Sequence, residues 1–190
     1  MTTSTQFTDF DGISYKALLP LSWSPVIAAI SSSTLSEWMD TNIYLLRALT
    51  TMETLPTEKD NEMGAVAAIA LERLETKVDL ALTLLAVLLE QKGNFPEPVS
   101  VNLSATAIKW IAEDGPSANT EITISLNLSK KIPQAIIFPA KVTHSKRMED
   151  GLHTRAEFMD LSEEMLDWLE RTLFRYHRRE IQLRHSGKTT

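Results

Sequence analysis

No cysteine occurs in this 190-residue chain. Disulfides, cysteine-ligated zinc and a thiol nucleophile are thereby excluded, and the composition fits a reducing cytoplasm. Glycine is sparse: six residues, scattered, so there is no glycine-rich phosphate loop. A G-x-S-x-G nucleophile elbow and an HExxH metal motif are also absent. The first twelve residues, Met1 to Gly12, lack the basic start and apolar run of a secretory leader. The richest apolar stretch, Leu80 to Leu89, is interrupted by Thr83 and bounded by Asp79 and Glu90, too short to span a bilayer. The expectation is a cytoplasmic protein without membrane insertion.

Excess positive charge is lacking too. The net charge of −6 argues against general nucleic-acid binding. Its distribution is uneven: between Arg171 and Thr190 six Lys/Arg face one acid, Glu180, so that segment is +5 and the remainder −11. Such a basic tail on an acidic body serves either subunit or partner contacts or a solvated helix face.

What is present reads as β, then α, then β, then α. Ile13, Tyr15, Ala17, Leu19, Leu21 and Trp23 recur every second residue, the period of a half-buried strand, assigned to 13–26. Pro20 within it calls for an edge or a bulge. Thr34 and Glu37 form a capping box, preceded by a Ser31-Ser32-Ser33 loop and followed by apolar residues from Leu35 to Met52 on one helical face. A longer helix is expected from about Glu58 to about Gln91, with Gly93 beyond its end. Within it Ala67, Leu71, Leu74, Val78, Ala81, Leu85 and Leu88 alternate steps of three and four, a heptad seam that continues back to Gly64. Ile69, Leu80, Leu84 and Val87 form a second apolar stripe, as in a helix buried on two sides. At 30 residues or more such a helix is about 45 Å long, longer than a small barrel is wide, so sister chains are its expected cover.

Period two then returns. Val99, Val101 and Leu103 alternate with polar residues, as do Ile122 to Leu128, Ile136 to Val142 and Leu152 to Phe158, assigned together to 96–160. Short strands joined by Gly- or Pro-containing turns imply an antiparallel barrel or sandwich. Asp160 or Ser162 caps a last helix, 161–182, with Glu163 and Glu164 in its first turn and Leu161, Met165, Trp168, Leu169, Leu173 and Tyr176 along its apolar stripe. A helix of that kind can cover a barrel end.

The run Val101-Asn102-Leu103-Ser104-Ala105-Thr106-Ala107-Ile108 resembles the Asp/Asn-x-Ser-x-x-Gly motif of the PilZ family, with Asn102 and Ser104 matching and Ala107 in place of glycine. Thr154 to Ser162 looks like the strand before that family's closing helix, and Trp168 to Arg175 like the helix itself. The helical insertion, 34–92, is similar to that of the atypical, tetrameric PilZ proteins of plant-pathogenic bacteria. The resemblance implies one α+β domain over 1–190: an antiparallel six-stranded β-barrel with a C-terminal helix and two inserted helices, the longer joining four copies. Family members that bind cyclic di-GMP use an Arg-x-x-x-Arg pair before the first strand, whose planar guanidinium groups grip phosphate and guanine. No arginine precedes Arg47 here. Asn102, Ser104 and Ala107 are accordingly expected to be the remnant of a ligand site. Cyclic di-GMP is not expected to bind, no cofactor is expected, and action through an unidentified protein partner in motility, pilus or virulence control is. A receptor built on other arginines would draw on Arg155 or on Arg171, Arg175 and Arg179, whose spacing of four also simply marks one helix face. Catalysis and metal binding have little to work with. His144 and His153 are the one pair that could meet across a hairpin, and Glu163, Glu164 and Asp167 read as helix-dipole partners.

Overall fold

Alternating apolar residues build six antiparallel strands: β1 (Tyr15–Pro25), β2 (Pro98–Leu103), β3 (Ala107–Ala112), β4 (Glu121–Leu126), β5 (Ile136–Met148) and β6 (Gly151–Phe158). They close into a barrel in the order β1-β2-β3-β6-β5-β4. Two helices, α1 (Ser32–Met52) and α2 (Ala65–Gln91), are inserted between β1 and β2, and α3 (Glu163–Ser186) follows β6. The computed structural model describes residue 10 and residues 12–52, 65–91, 96–129, 132 and 134–186. The expected onset of the second helix at Glu58, its seam position Gly64 and Gly93 beyond its end lie outside these residues.

Pro20 finds its place where β1 changes neighbour. Residues 15–20 pair with β2 and residues 21–25 with β4. Pro20 stands opposite Pro98 at the end of the first ladder, where neither ring nitrogen has a proton to donate, and its carbonyl accepts a hydrogen bond from the Asn127 N–H at 3.1 Å. Inward-facing Leu19, Leu21, Val101, Leu103, Ile108, Trp110, Ile122, Ile124, Leu126, Phe138 and Val142 fill the barrel. Phe138 stacks on Phe158 with ring centroids 4.3 Å apart.

β3 breaks the alternation that marks the other strands. Ala107, Ile108, Lys109 and Trp110 are all buried, because something covers the outward side of Lys109 as well as the inward side of its neighbours. At the hairpin between β5 and β6, Gly151 has φ +135°, and a Cβ there would lie 3.0 Å from the Ala112 carbonyl oxygen and from Ile111 Cγ2. Both the backbone conformation and the space demand glycine. Gly151→Ala is expected to lower unfolding stability by about 2 kcal/mol in a urea titration, strained backbone costing ~1–3 kcal/mol.

α1 starts one turn earlier than its sequence implies. Ser31 caps it, its Oγ accepting the Thr34 N–H at 3.1 Å, so Ser32 and Ser33 belong to the first turn rather than to a loop. Thr34 is already helical and its hydroxyl bonds Ser31 at 2.8 Å. For α3 the cap is Ser162, whose Oγ accepts the Met165 N–H at 3.1 Å; Asp160 sits before it in the left-handed region, φ 54°. Met39, Leu45, Leu46 and Leu49 of α1 and Met165, Leu169, Leu173 and Tyr176 of α3 join the barrel residues in one core. The Arg175 guanidinium donates to the Thr50 carbonyl at 2.6 Å, satisfying the last turn of α1. Trp168 is flanked by the guanidinium groups of Arg47 and Arg171, at 5.2 and 5.3 Å from its ring centroid. Asn42 fastens α1 to β5 by two hydrogen bonds to Ile137.

Candidate functional site

Two surfaces remain for function. The first is α2. From Ala67 to Leu88 every described side chain is exposed in the protomer apart from the half-buried Ala68 and Leu82. The seam residues Ala67, Leu71, Leu74, Val78, Ala81, Leu85 and Leu88 are exposed throughout, and so is the second stripe, Ile69, Leu80, Leu84 and Val87. Such contiguous apolar surface is rare on a protein that stays alone. The polar residues keep to another stripe, where Thr76 and Thr83 return their hydroxyls to the carbonyls of Glu72 and Asp79 at 2.8 Å. Among the described residues no helix is long and apolar enough to cross a membrane.

The second surface runs round the outside of the barrel. Strand register sets Lys16 beside Asn102, Asn102 beside Lys109, Lys109 beside Arg155 and Arg155 beside His144. Five polar or basic residues from five strands thus share one circumferential row. Ser104 and Ala107 meet at the β2–β3 turn, and Asn102 lies within β2 opposite Lys109. Ser104 is turned to its own turn: its Oγ accepts the Ala107 N–H and donates to the Ala107 carbonyl, both at 3.0 Å. Ala107 needs no glycine, since it is absent from the positive-φ residues.

Sequence reasoning missed two residues here: Lys109, a member of the row, and Phe10, whose ring lies against it. Lys109 is only 7% exposed. Its ammonium lies 4.3 Å from the centroid of the Phe10 ring, and the Arg155 guanidinium lies 5.5 Å from the same ring. Arg155 also bonds Glu157 at 3.4 Å. A lysine inside an otherwise apolar run was the one available signal for the first. For Phe10 no local pattern existed.

Arg171 and Arg175 are occupied within the fold. Arg171 pairs with Asp167 at 2.9 Å, and Arg175 holds Thr50. Part of the basic tail therefore fastens α3 to itself and to α1. His144 and His153, the pair that could have met across a hairpin, are not opposite each other. An irregularity in the β5–β6 register at Val142/His144 sets His144 opposite Arg155 and His153 opposite Lys146. His153 instead bonds Asp150 at 2.7 Å, which holds the Asp150 carboxyl below its usual pKa. No group of three or more acidic or histidine side chains among the described residues could hold a metal ion.

A family model described as an atypical PilZ domain, cyclic di-GMP receptor, matches residues 46–185. The chain belongs to the atypical PilZ family. A solved PilZ-domain protein from Xanthomonas campestris, described as a tetramer self-assembled via an unusual helical bundle, is 26% identical. That likeness covers 90% of this chain and 92% of the other at a TM-score of 0.72. The Bacillus subtilis inhibitor of motility is 18% identical over 45% of this PilZ chain and 42% of its own, at a TM-score of 0.36. Among curated proteins nothing matches.

Proposed function

We propose that this PilZ protein is a non-enzymatic, cytoplasmic scaffold of the signalling type. It assembles four copies through α2 and presents its barrel to a protein partner, in control of motility, pili or virulence, without taking up cyclic di-GMP. The single observation that carries the assembly is the unbroken exposure of both apolar stripes of α2 in the protomer. The tetrameric, helix-bundled Xanthomonas relative supports the same arrangement. Against nucleotide binding stand the lack of any arginine before Arg47, the Ser104 hydroxyl engaged in its own turn, and a Lys109–Arg155 pair already facing an aromatic ring.

A second reading, a cyclic di-GMP receptor with non-standard arginines, is favoured by one feature: Arg155 shares the outer row with Asn102 and Lys109. Light scattering and calorimetry separate the two. The expected result is a mass near 85 kDa, about four times the 21.3 kDa protomer, and no heat on titration with cyclic di-GMP. A 21.3 kDa particle at all concentrations would sink the scaffold. Stoichiometric nucleotide binding that disappears in Arg155→Ala would establish the receptor instead.

A further inference from the structure

The side of α3 turned away from the core is ordered by charge. Met165, Leu169, Leu173 and Tyr176 take the inner side. Outward lie Glu163, Asp167 and Glu170 in the first half and Phe174, Arg178 and Ile181 in the second, at helical steps of three and four. All six are exposed, Phe174 to 46% and Ile181 to 41%. The helix dipole accounts for Glu163 alone, because its effect fades beyond the first and last turns, and Glu170 and Arg178 stand well inside. Those two are eight residues apart, hence about 12 Å along the axis, too far to pair within one chain. Among the described residues neither has an ion-pair partner. The Arg178 guanidinium lies 6.0 Å from the centroid of the Phe174 ring.

The spacing about Phe174 is symmetric. Glu170 and Arg178 stand four residues before and after it, Asp167 and Ile181 seven. We infer that this face docks on the same face of a second copy, antiparallel, about a two-fold axis through Phe174. Such an axis exchanges the residues before Phe174 with those after it. Ring then meets ring, and Glu170 of each copy meets Arg178 of the other. A foreign acidic helix would leave Glu163, Asp167 and Glu170 opposed by like charge, and a basic one would do so to Arg178; an antiparallel copy matches both halves. The contact goes beyond the α2 assembly and does not rest on it. Two half-exposed apolar side chains per copy and surface ion pairs make it weak. It therefore closes between copies already crowded together, and joins them barrel to barrel.

Disulfide trapping of the full-length chain tests this. Phe174→Cys introduces a single cysteine into a chain that has none, at the position on the axis. Oxidised at about 1 mM protein, the effective concentration that a short tether supplies, it should form a covalent dimer at twice the 21.3 kDa chain mass. The rate should exceed that of Ser24→Cys, an exposed site on β1, at least about tenfold. Adding Arg178→Glu sets glutamate against Glu170 twice and should slow trapping at least about tenfold. Adding Glu170→Arg as well reverses both partners and should restore the rate. Equal rates at positions 174 and 24 would give the face to a foreign partner and overturn the self-contact. A rate unmoved by Arg178→Glu, or one that does not recover in the double reversal, overturns it too. A 21.3 kDa particle in dilute solution would strike the α2 assembly alone, because the α3 contact is read at high concentration from ratios between variants.

Discussion

Leu74→Glu combined with Leu85→Glu is expected to reduce the particle in light scattering to the 21.3 kDa protomer. The helix that carries them has 27 residues, hence a length of about 40 Å. Nine large apolar side chains along it, from Ile69 to Leu88, are 42–58% exposed in the protomer. Covering the exposed half of each is worth about 1 kcal/mol, so on the order of 10 kcal/mol per copy stands against an association cost of ~4–15 kcal/mol. Each glutamate removes that contribution at its site and adds the cost of desolvating a carboxylate, together about 3 kcal/mol or more per site. Two such sites in every copy remove more than half of the driving force. Far-UV circular dichroism should lose helix at the same time, because a helix without packing partners is marginal in water. Thr76→Ala, on the polar stripe, should leave the mass unchanged. An assembly that withstands both glutamates would show that the seam is not the contact.

Much of this arrangement is legible in the sequence because burial on one side leaves a period. Five strands betray themselves by alternation, α2 by its heptad steps, and α3 by its stripe from Leu161 to Tyr176. β3 does not, since the Phe10 ring lies against the outward Lys109 and the first four residues of the strand are buried on both faces. A chain segment remote in sequence decided that pattern, so no local period could carry it. The same holds for the outer row. Asn102 and Ser104 are neighbours in sequence and were found together, whereas Lys109 and Arg155 become neighbours only through the β3–β6 register. The β5–β6 register likewise sets His144 opposite Arg155 and His153 opposite Lys146, so the two histidines are not cross-strand partners, which no local pattern of either strand reveals. The start of α1 was misplaced for a related reason. Ser31, Ser32, Ser33 and Thr34 all make acceptable caps, and only the hydrogen bond from the Thr34 amide to Ser31 chooses among them.

Asn42→Leu is expected to cost about 4 kcal/mol of unfolding stability, although leucine matches asparagine in size and is the more apolar residue. β6 accompanies β5 only from Ala140 onward, so the earlier residues of β5 have β4 on one side and no strand on the other. Asn42 fills that place. Its Nδ2 donates to the Ile137 carbonyl at 2.7 Å and its Oδ1 accepts the Ile137 N–H at 3.0 Å, so one side-chain amide imitates one residue of a strand. It does so at 1% exposure, where water cannot stand in for it. Leucine would leave a donor and an acceptor of β5 unsatisfied, at ~1–3 kcal/mol each. Hydrophobic transfer of the new side chain offsets little of this, since the site is already dry. In urea the midpoint should fall with the slope unchanged, the signature of lost stability rather than altered compactness. A loss below about 1 kcal/mol would mean that packing of α1 alone fastens it to the barrel. A loss of the expected size identifies this amide pair as what fixes the rotation of α1 on β5, and with it the direction in which the chain leaves for α2.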